Sequence, residues 1–216
     1  MLKSSVFLEN FTLPEGWSLK LDSKKAYKIQ TSEGLNFSID FPSKKKLISK
    51  QALVKAIGFK NQSLSVLDIT AGWAKDSFLI SQLGCKVRAI ESHPFVFHFV
   101  KSQLELEFKG SFPFELILGD SLNYLKSLKE DSYPDVIFID PMFQGRKKSL
   151  SQKSLRILKE FVGETQNKQT LFNHALLKAQ KRVVVKRHKL DKPLSQNFIS
   201  SFKGHSICYD VFQAKI

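Results

Sequence analysis

The chain has 216 residues, with 34 Lys and Arg against 20 Asp and Glu for a net charge of +14, a length that admits one large domain or one domain with a small appendage. A hydrophobic share of 42% supports a packed core and excludes a disordered chain, and no apolar run approaches the roughly 18 residues of a membrane span. Met1–Glu9 lacks the apolar stretch of a secretory leader, and Cys85 and Cys208, far apart in strand-like runs, read as buried free thiols, so a cytoplasmic setting without membrane association is expected.

Turn signals at Pro14-Glu15-Gly16 and Ser32-Glu33-Gly34 separate short alternating runs at Trp17–Leu21, Ala26–Ile29 and Leu35–Phe41, the last stopped by Pro42. These predict a small β appendage. Lys44, Lys45 and Lys46 open a basic segment, and Leu47, Leu53, Val54 and Ile57 follow at roughly helical spacing before Gly58. Residues 1–60 are therefore assigned to a β appendage plus a basic helix, and residues 61–216 to the main domain.

The main domain alternates strands and helices. Leu64–Asp68 predicts the first strand, Ala74–Leu83 a helix ending at Gly84, and Cys85–Glu91 the second strand. Ser92 is the expected cap of the next helix, with Pro94 in its first turn. Phe114–Leu118 predicts strand three, followed by a short helix to about Leu128. Asp135–Ile139 is strand four, an apolar run ended by Asp140 and Pro141. Helices at about 149–161 and 171–181, a strand at Arg182–Lys186 and a last strand at 206–214 complete the chain. This is the pattern of an α/β fold with a mostly parallel central sheet covered by helices on both faces.

Charge is unevenly distributed. Residues 1–60 carry 11 lysines and 5 acids, residues 61–140 carry 7 basic and 11 acidic residues, and residues 141–216 carry 16 basic and 4 acidic residues. Basic flanks around a mildly acidic middle suit a polyanionic partner that presents one group to a separate cofactor. A generally basic soluble surface has the same composition.

Four strands in succession end in an acid: Asp68, Glu91, Asp120 and Asp140. In an open α/β sheet these ends converge on the edge that receives ligands. The first turn, Asp68 to Asp76, has Gly72 as its single glycine and so is not the glycine-rich turn that a dinucleotide pyrophosphate needs. Asp68 and Asp76 would repel a pyrophosphate but suit S-adenosylmethionine, which carries an ammonium and a sulfonium. Glu91 can accept from two ribose hydroxyls, and Asp120 with Ser121 can meet an adenine amino group. Any one of these acids is equally a helix cap or turn former; the ordered set favours the cofactor, and a nicotinamide-dependent oxidoreductase is disfavoured.

An exocyclic amino nitrogen is a weak nucleophile because its lone pair is delocalised into the ring. Asp140 and the carbonyl of Pro141 can accept its two hydrogens, and Phe143 can stack on the base for about 1–3 kcal/mol. Arg146, Lys147 and Lys148 follow, and Lys186 and Arg187 close the fifth strand. Both groups are expected at phosphates flanking an extruded nucleotide. The five histidines show no ligand spacing and there is no C-x-x-C, so no metal is expected.

The runs DITAGWAKDS, AIES, GDSL, IDPMFQGRKKS, KRVVVKR and KGHSICYDVF resemble the ribosomal RNA small-subunit methyltransferase J family, from about Phe37 to the C-terminus. The resemblance implies a Rossmann-like class I S-adenosylmethionine-dependent methyltransferase that modifies the exocyclic N2 of one guanosine, G1516, in 16S rRNA of the small ribosomal subunit. It also implies cofactor contacts at Lys75, Asp76, Glu91, Ser92, Asp120, Ser121 and Asp140. Lys75 stands where the family usually has Arg, and Trp73 where it has a smaller residue. An amino-group methyltransferase for another base and a non-catalytic RNA-binding or ribosome-assembly protein are the competing readings.

Overall fold

Val136, Ile137, Phe138 and Ile139 are all buried, and an unbroken apolar run of this length is stable as a strand covered on both faces. In the computed structural model they form β7, which pairs in parallel with β4 (Ser65–Asp68) on one side and β8 (Arg182–His188) on the other. The structure describes residues 4–41, 51–60, 63–141, 157–158, 160–161 and 167–215. Within them one sheet has the order β6-β5-β4-β7-β8-β10-β9, where β5 is Lys86–Glu91, β6 Glu115–Leu118, β9 Ser200–Lys203 and β10 Ile207–Gln213. The strands from β6 to β8 are parallel, and β10 runs antiparallel to both β8 and β9.

The chain builds outward from β4 to β5 and β6, then returns to lay β7 on the other side of β4. Strand order therefore reverses between β4 and β7, and the crevice at such a reversal is where these sheets take ligands. Successive strand residues face opposite sides. On β7, Val136 and Phe138 join the core beneath α2 (Gln51–Ile57), α3 (Lys75–Ser81) and α4 (Pro94–Phe108). Ile137 and Ile139 join the opposite core, beneath α5 (Ser121–Ser127) and α6 (Lys168–Lys178).

Several elements differ from the sequence reading for local reasons. Asn167 caps α6, its side chain accepting from the Gln169 and Thr170 N–H groups, so the helix starts before the expected Leu171. It ends at Lys178 because the Gln180 and Lys181 N–H groups turn to the carbonyls of Pro134 and Asp135 and lead into β8. Ser92 is not the cap of α4: the capping position is His93, whose N–H donates to Glu91 at 2.7 Å. The edge strand β9 (SSFK) has no apolar alternation and left no sequence signal. The basic stretch at 43–50 and most of the helix expected at 149–161 lie outside the described residues.

The N-terminal residues form α1 (Ser4–Glu9) and an antiparallel sheet of β1 (Ser18–Leu21), β2 (Tyr27–Gln30) and β3 (Asn36–Phe37). A six-residue helix is too short to be stable alone or to show a period. It is held against α4 by Phe7 stacked on His98 at 4.0 Å. Tyr27, Ile29 and Phe37 enter the same core as α4, and Phe37 packs on Trp73 with ring centroids 4.7 Å apart. Trp73 thus ties the small sheet to the loop after β4. Cys85 and Cys208 are buried and free, and no helix among the described residues is long and apolar enough to cross a membrane.

Candidate active site

The loop after β4 is set by one buried acid. Asp68, 2% exposed, accepts the Ser77 hydroxyl at 2.5 Å and the Thr70 N–H at 2.9 Å. Burial pushes its carboxyl up to about 7, opposed by those two hydrogen bonds and assisted by the nearby charges of Asp76 and Asp140. Asp68 therefore acts through the loop it shapes. Gly72 (φ +50°) and Ala74 (φ +54°) both adopt left-handed backbone there, a conformation in which a Cβ crowds the following carbonyl, so that glycine adopts it freely and alanine at a cost. A Cβ on Gly72 would also stand 3.0 Å from Leu158 Cδ2.

Glu91, at the end of β5 and 5% exposed, holds the loop from the other side. Its carboxylate accepts the Gly72 N–H at 2.9 Å and the His93 N–H at 2.7 Å. Burial raises its pKa against these bonds. A carboxylate offers about four acceptor sites, so ribose hydroxyls can be accommodated beside the two backbone donors. Asp120, after β6, accepts the Asn123 N–H at 2.7 Å as the cap of α5. Ser121 is buried, and its hydroxyl donates to the Ile69 carbonyl at 2.6 Å. Ser121 thus joins the loops after β6 and β4, while Ser92 is exposed beside Glu91.

Asp140 closes the constellation. Its N–H donates to Thr70 Oγ1 at 2.6 Å, which fixes the loop after β7 to the loop after β4. Its carboxylate accepts from Lys186 Nζ at 2.7 Å, and the same ammonium donates to Asp76 at 2.5 Å. The Asp140 side chain is 38% exposed, against 12% for Asp76 and 17% for Lys186. Burial works against the Lys186 charge, but Asp140 and Asp76 outweigh it and hold the ammonium well above the ordinary lysine range. Pro141 is buried next to Asp140, and Lys75 Nζ lies 5.8 Å from the centre of the Phe37 ring.

The structure thus brings Asp68, Gly72, Lys75, Asp76, Glu91, Asp120, Ser121 and Asp140 to one edge of the sheet. It differs at two positions expected to face RNA. Lys186 lies in β8 and donates to Asp76 and Asp140. Arg187 turns to the opposite face, where it pairs with Asp210 at 2.6 and 3.2 Å and donates to the carbonyls of His188, Lys189 and Asp191. A strand that alternates its side chains cannot present both neighbours to one ligand. Phe143, Arg146, Lys147 and Lys148 lie outside the described residues. Thr70 and Ser77 carry structural roles not read from sequence; the available signal was a pair of hydroxyl residues two and nine positions after a strand-end acid.

Five carboxylates (Asp68, Asp76, Glu91, Asp120 and Asp140) share this edge with the ammonium groups of Lys75 and Lys186. The described part of the edge is therefore net acidic, and it has no glycine-rich cradle for phosphate. Those acceptors and charges fit a cofactor with a ribose, an amino group and a sulfonium. A model of SAM-dependent methyltransferases, SAM_MT, matches residues 18–214. A ribosomal RNA small subunit methyltransferase J from Coxiella burnetii (strain RSA 331) is 38% identical over 174 residues, 76% of this chain and 67% of the relative. This chain belongs to the ribosomal RNA small subunit methyltransferase J family. The protein of that name from Buchnera aphidicola is 39% identical, over 75% of this chain and 68% of its own length. A crystal structure of a SAM-dependent methyltransferase from Neisseria gonorrhoeae has the same fold, with a TM-score of 0.72 and 24% identity over 98% of this chain and 91% of its own. The chain is accordingly an S-adenosylmethionine-dependent methyltransferase, and the net-acidic edge carries charge of the sign that such a cationic cofactor calls for. Among the described residues no group of His, Cys, Asp or Glu is arranged to hold a metal ion.

Proposed function

We propose that this enzyme methylates the exocyclic N2 amino group of a guanosine in 16S rRNA of the small ribosomal subunit, in the cytoplasm. The name of its relatives and the basic flanks around an acidic middle support an rRNA substrate. The observation that carries the chemistry is Asp140: a partly exposed carboxylate, fixed at its N–H by Thr70 and at its side chain by Lys186, directly before Pro141.

In this reading Asp140 and the Pro141 carbonyl accept the two amino hydrogens and localise the nitrogen lone pair. Bound S-adenosylmethionine supplies the electrophilic methyl group. The surplus amine proton is lost afterwards, so no strong base is needed before attack; positioning supplies much of the rate. Glu91 and Asp120 with Ser121 bind the nucleoside part of the cofactor, with Ser92 beside them, while Asp68 and Gly72 shape the turn and Lys75 and Asp76 flank it. Phe143 stacks on the base, and Arg146, Lys147 and Lys148 meet flanking phosphates.

Nucleoside mass spectrometry of rRNA from cells with and without the gene tests the proposal. Loss of one N2-methylguanosine is the expected result, and an unchanged set of methylated nucleosides overturns it. Loss of a different methylated base would instead identify another amino-group target. Calorimetry adds a cofactor test: S-adenosylhomocysteine binds and NAD does not.

A further inference from the structure

We propose that Lys186 is a positioning residue for methyl transfer: it binds Asp76 and Asp140 to each other and keeps Asp140 available as an ionised acceptor for the substrate amino group. This rests on the methyl-transfer reading above. It assigns to Lys186 a role toward Asp140 in place of one toward RNA.

The placement follows from strand register. β7 and β8 are parallel neighbours with Ile139 beside Val185, so the next residues, Asp140 and Lys186, are adjacent. Phe138 and Val184 face the core beneath α3, and the two-residue period puts Asp140 and Lys186 on that same side. The first turn of α3 brings Asp76 to the same nitrogen. β10 sets Tyr209 directly opposite Lys186. Among the described residues, the charged and titratable groups around the ammonium are Asp140 from the end of β7, Asp76 from α3 and Tyr209 from β10, with Asp68 of β4 behind the two acids. Burial and the neighbouring Asp76 charge keep the Tyr209 phenol protonated, so it adds no charge of its own.

One cation thus serves two carboxylates. Two carboxylates sharing a site resist ionising together unless a cation lies between them. A protonated Asp140 would lose acceptor capacity and present an O–H to an amine that needs an acceptor. The Lys186 ammonium, in contact with both carboxylates, favours the ionised form. Held protonated itself, it does not take up the surplus amine proton.

The sign of the pH effect follows. Activity that needs ionised Asp140 is present above the Asp140 pKa and lost as pH falls through it. Removing the ammonium raises that pKa and moves the acid limb of kcat to higher pH, by about one unit or more. Removing the competing carboxylate with Asp76→Asn lowers it and moves the limb to lower pH. Lys186→Arg keeps the charge and leaves the limb in place. A residue needed only for folding would reduce active protein without moving the limb.

The test measures kcat at saturating cofactor as a function of pH, using radiolabelled S-adenosylmethionine and small ribosomal subunits from cells lacking the gene. The proposal expects an upward shift in Lys186→Met and a downward shift in Asp76→Asn. An unmoved limb in Lys186→Met overturns it, and Lys186→Gln makes the same comparison if the Met variant does not fold. An unmoved or raised limb in Asp76→Asn overturns it whatever the Lys186 variants do. If the wild-type protein transfers no methyl group to any subunit nucleotide, the methyl-transfer reading fails and takes this inference with it. If the wild type is active and the limbs are unmoved, only the role of Lys186 fails.

Discussion

Lys186 and Arg187 are neighbours in sequence, yet they belong to two ion clusters on opposite faces of the sheet. Arg187 meets Asp210, which is fully buried and also accepts the Ser201 hydroxyl at 2.6 Å. One guanidinium faces one carboxylate in a two-point fork, and its Nη1 donates to backbone carbonyls. Charge there is balanced and closed to solvent. Around Lys186, among the described residues, one ammonium meets two carboxylates, and the Asp140 side chain is 38% exposed at the ligand edge. A balanced, sealed pair fixes strands to each other. A cluster with a partly exposed carboxylate at the ligand edge presents an acceptor to a cationic or hydrogen-rich ligand.

The largest expected effect is on the open cluster. Asp140→Ala should lower methyl transfer by about a hundred- to a thousand-fold, the usual cost of removing one preorganised polar contact at a reacting centre. RNA binding by filter assay should be largely unchanged; a variant that still methylates at the wild-type rate would dissolve the contrast.

Arg187→Met addresses the sealed cluster. It leaves Asp210 buried without its cation and should cost about 3–5 kcal/mol of stability in urea unfolding. The salt dependence of RNA binding by the folded fraction should stay as in wild type. A flatter salt dependence with little loss of stability would return Arg187 to the RNA surface.

The third test uses the pH dependence of stability. Asp68 has a folded-state pKa of about 7, above its ordinary 3.8. Ionising it therefore destabilises the fold, and this loss grows as pH rises from about 4 to about 7. Unfolding of wild type and Asp68→Asn across that range should show wild type losing ground to the variant, by at least about 1 kcal/mol. A constant difference would mean that Asp68 titrates as an exposed acid does.

The smallest effect is expected at Ser201→Ala. It removes one hydrogen bond from Asp210 while Arg187 stays in place, and should lower stability by about 1 kcal/mol with methyl transfer unaltered. A much larger loss would show that the hydroxyl, more than the guanidinium, carries the cluster.

The sequence by itself determined the strand–helix alternation and the acids that end its strands. Both rest on short-range rules: apolar runs bounded by turn residues, and strand ends that recur at the ligand edge of a parallel sheet. Asp68, Glu91, Asp120 and Asp140 were legible because each directly follows its apolar run or stands one glycine beyond it. Asp76 was legible from the charge of the first turn, and Lys75 was reached through the family resemblance. Helix α1 and strand β9 were not legible, since six residues show no period and SSFK has no apolar face. Tertiary structure alone decided what each polar group faces. The Ser121 hydroxyl donates to the Ile69 carbonyl across two loops, and Lys186 and Arg187, which read as one basic patch, divide between two faces. The physical reason is strand register. Side chains alternate along β8, and which carboxylate each cation meets depends on the strands beside it, β7 and β10, and on the helix packed above, none of which local sequence specifies.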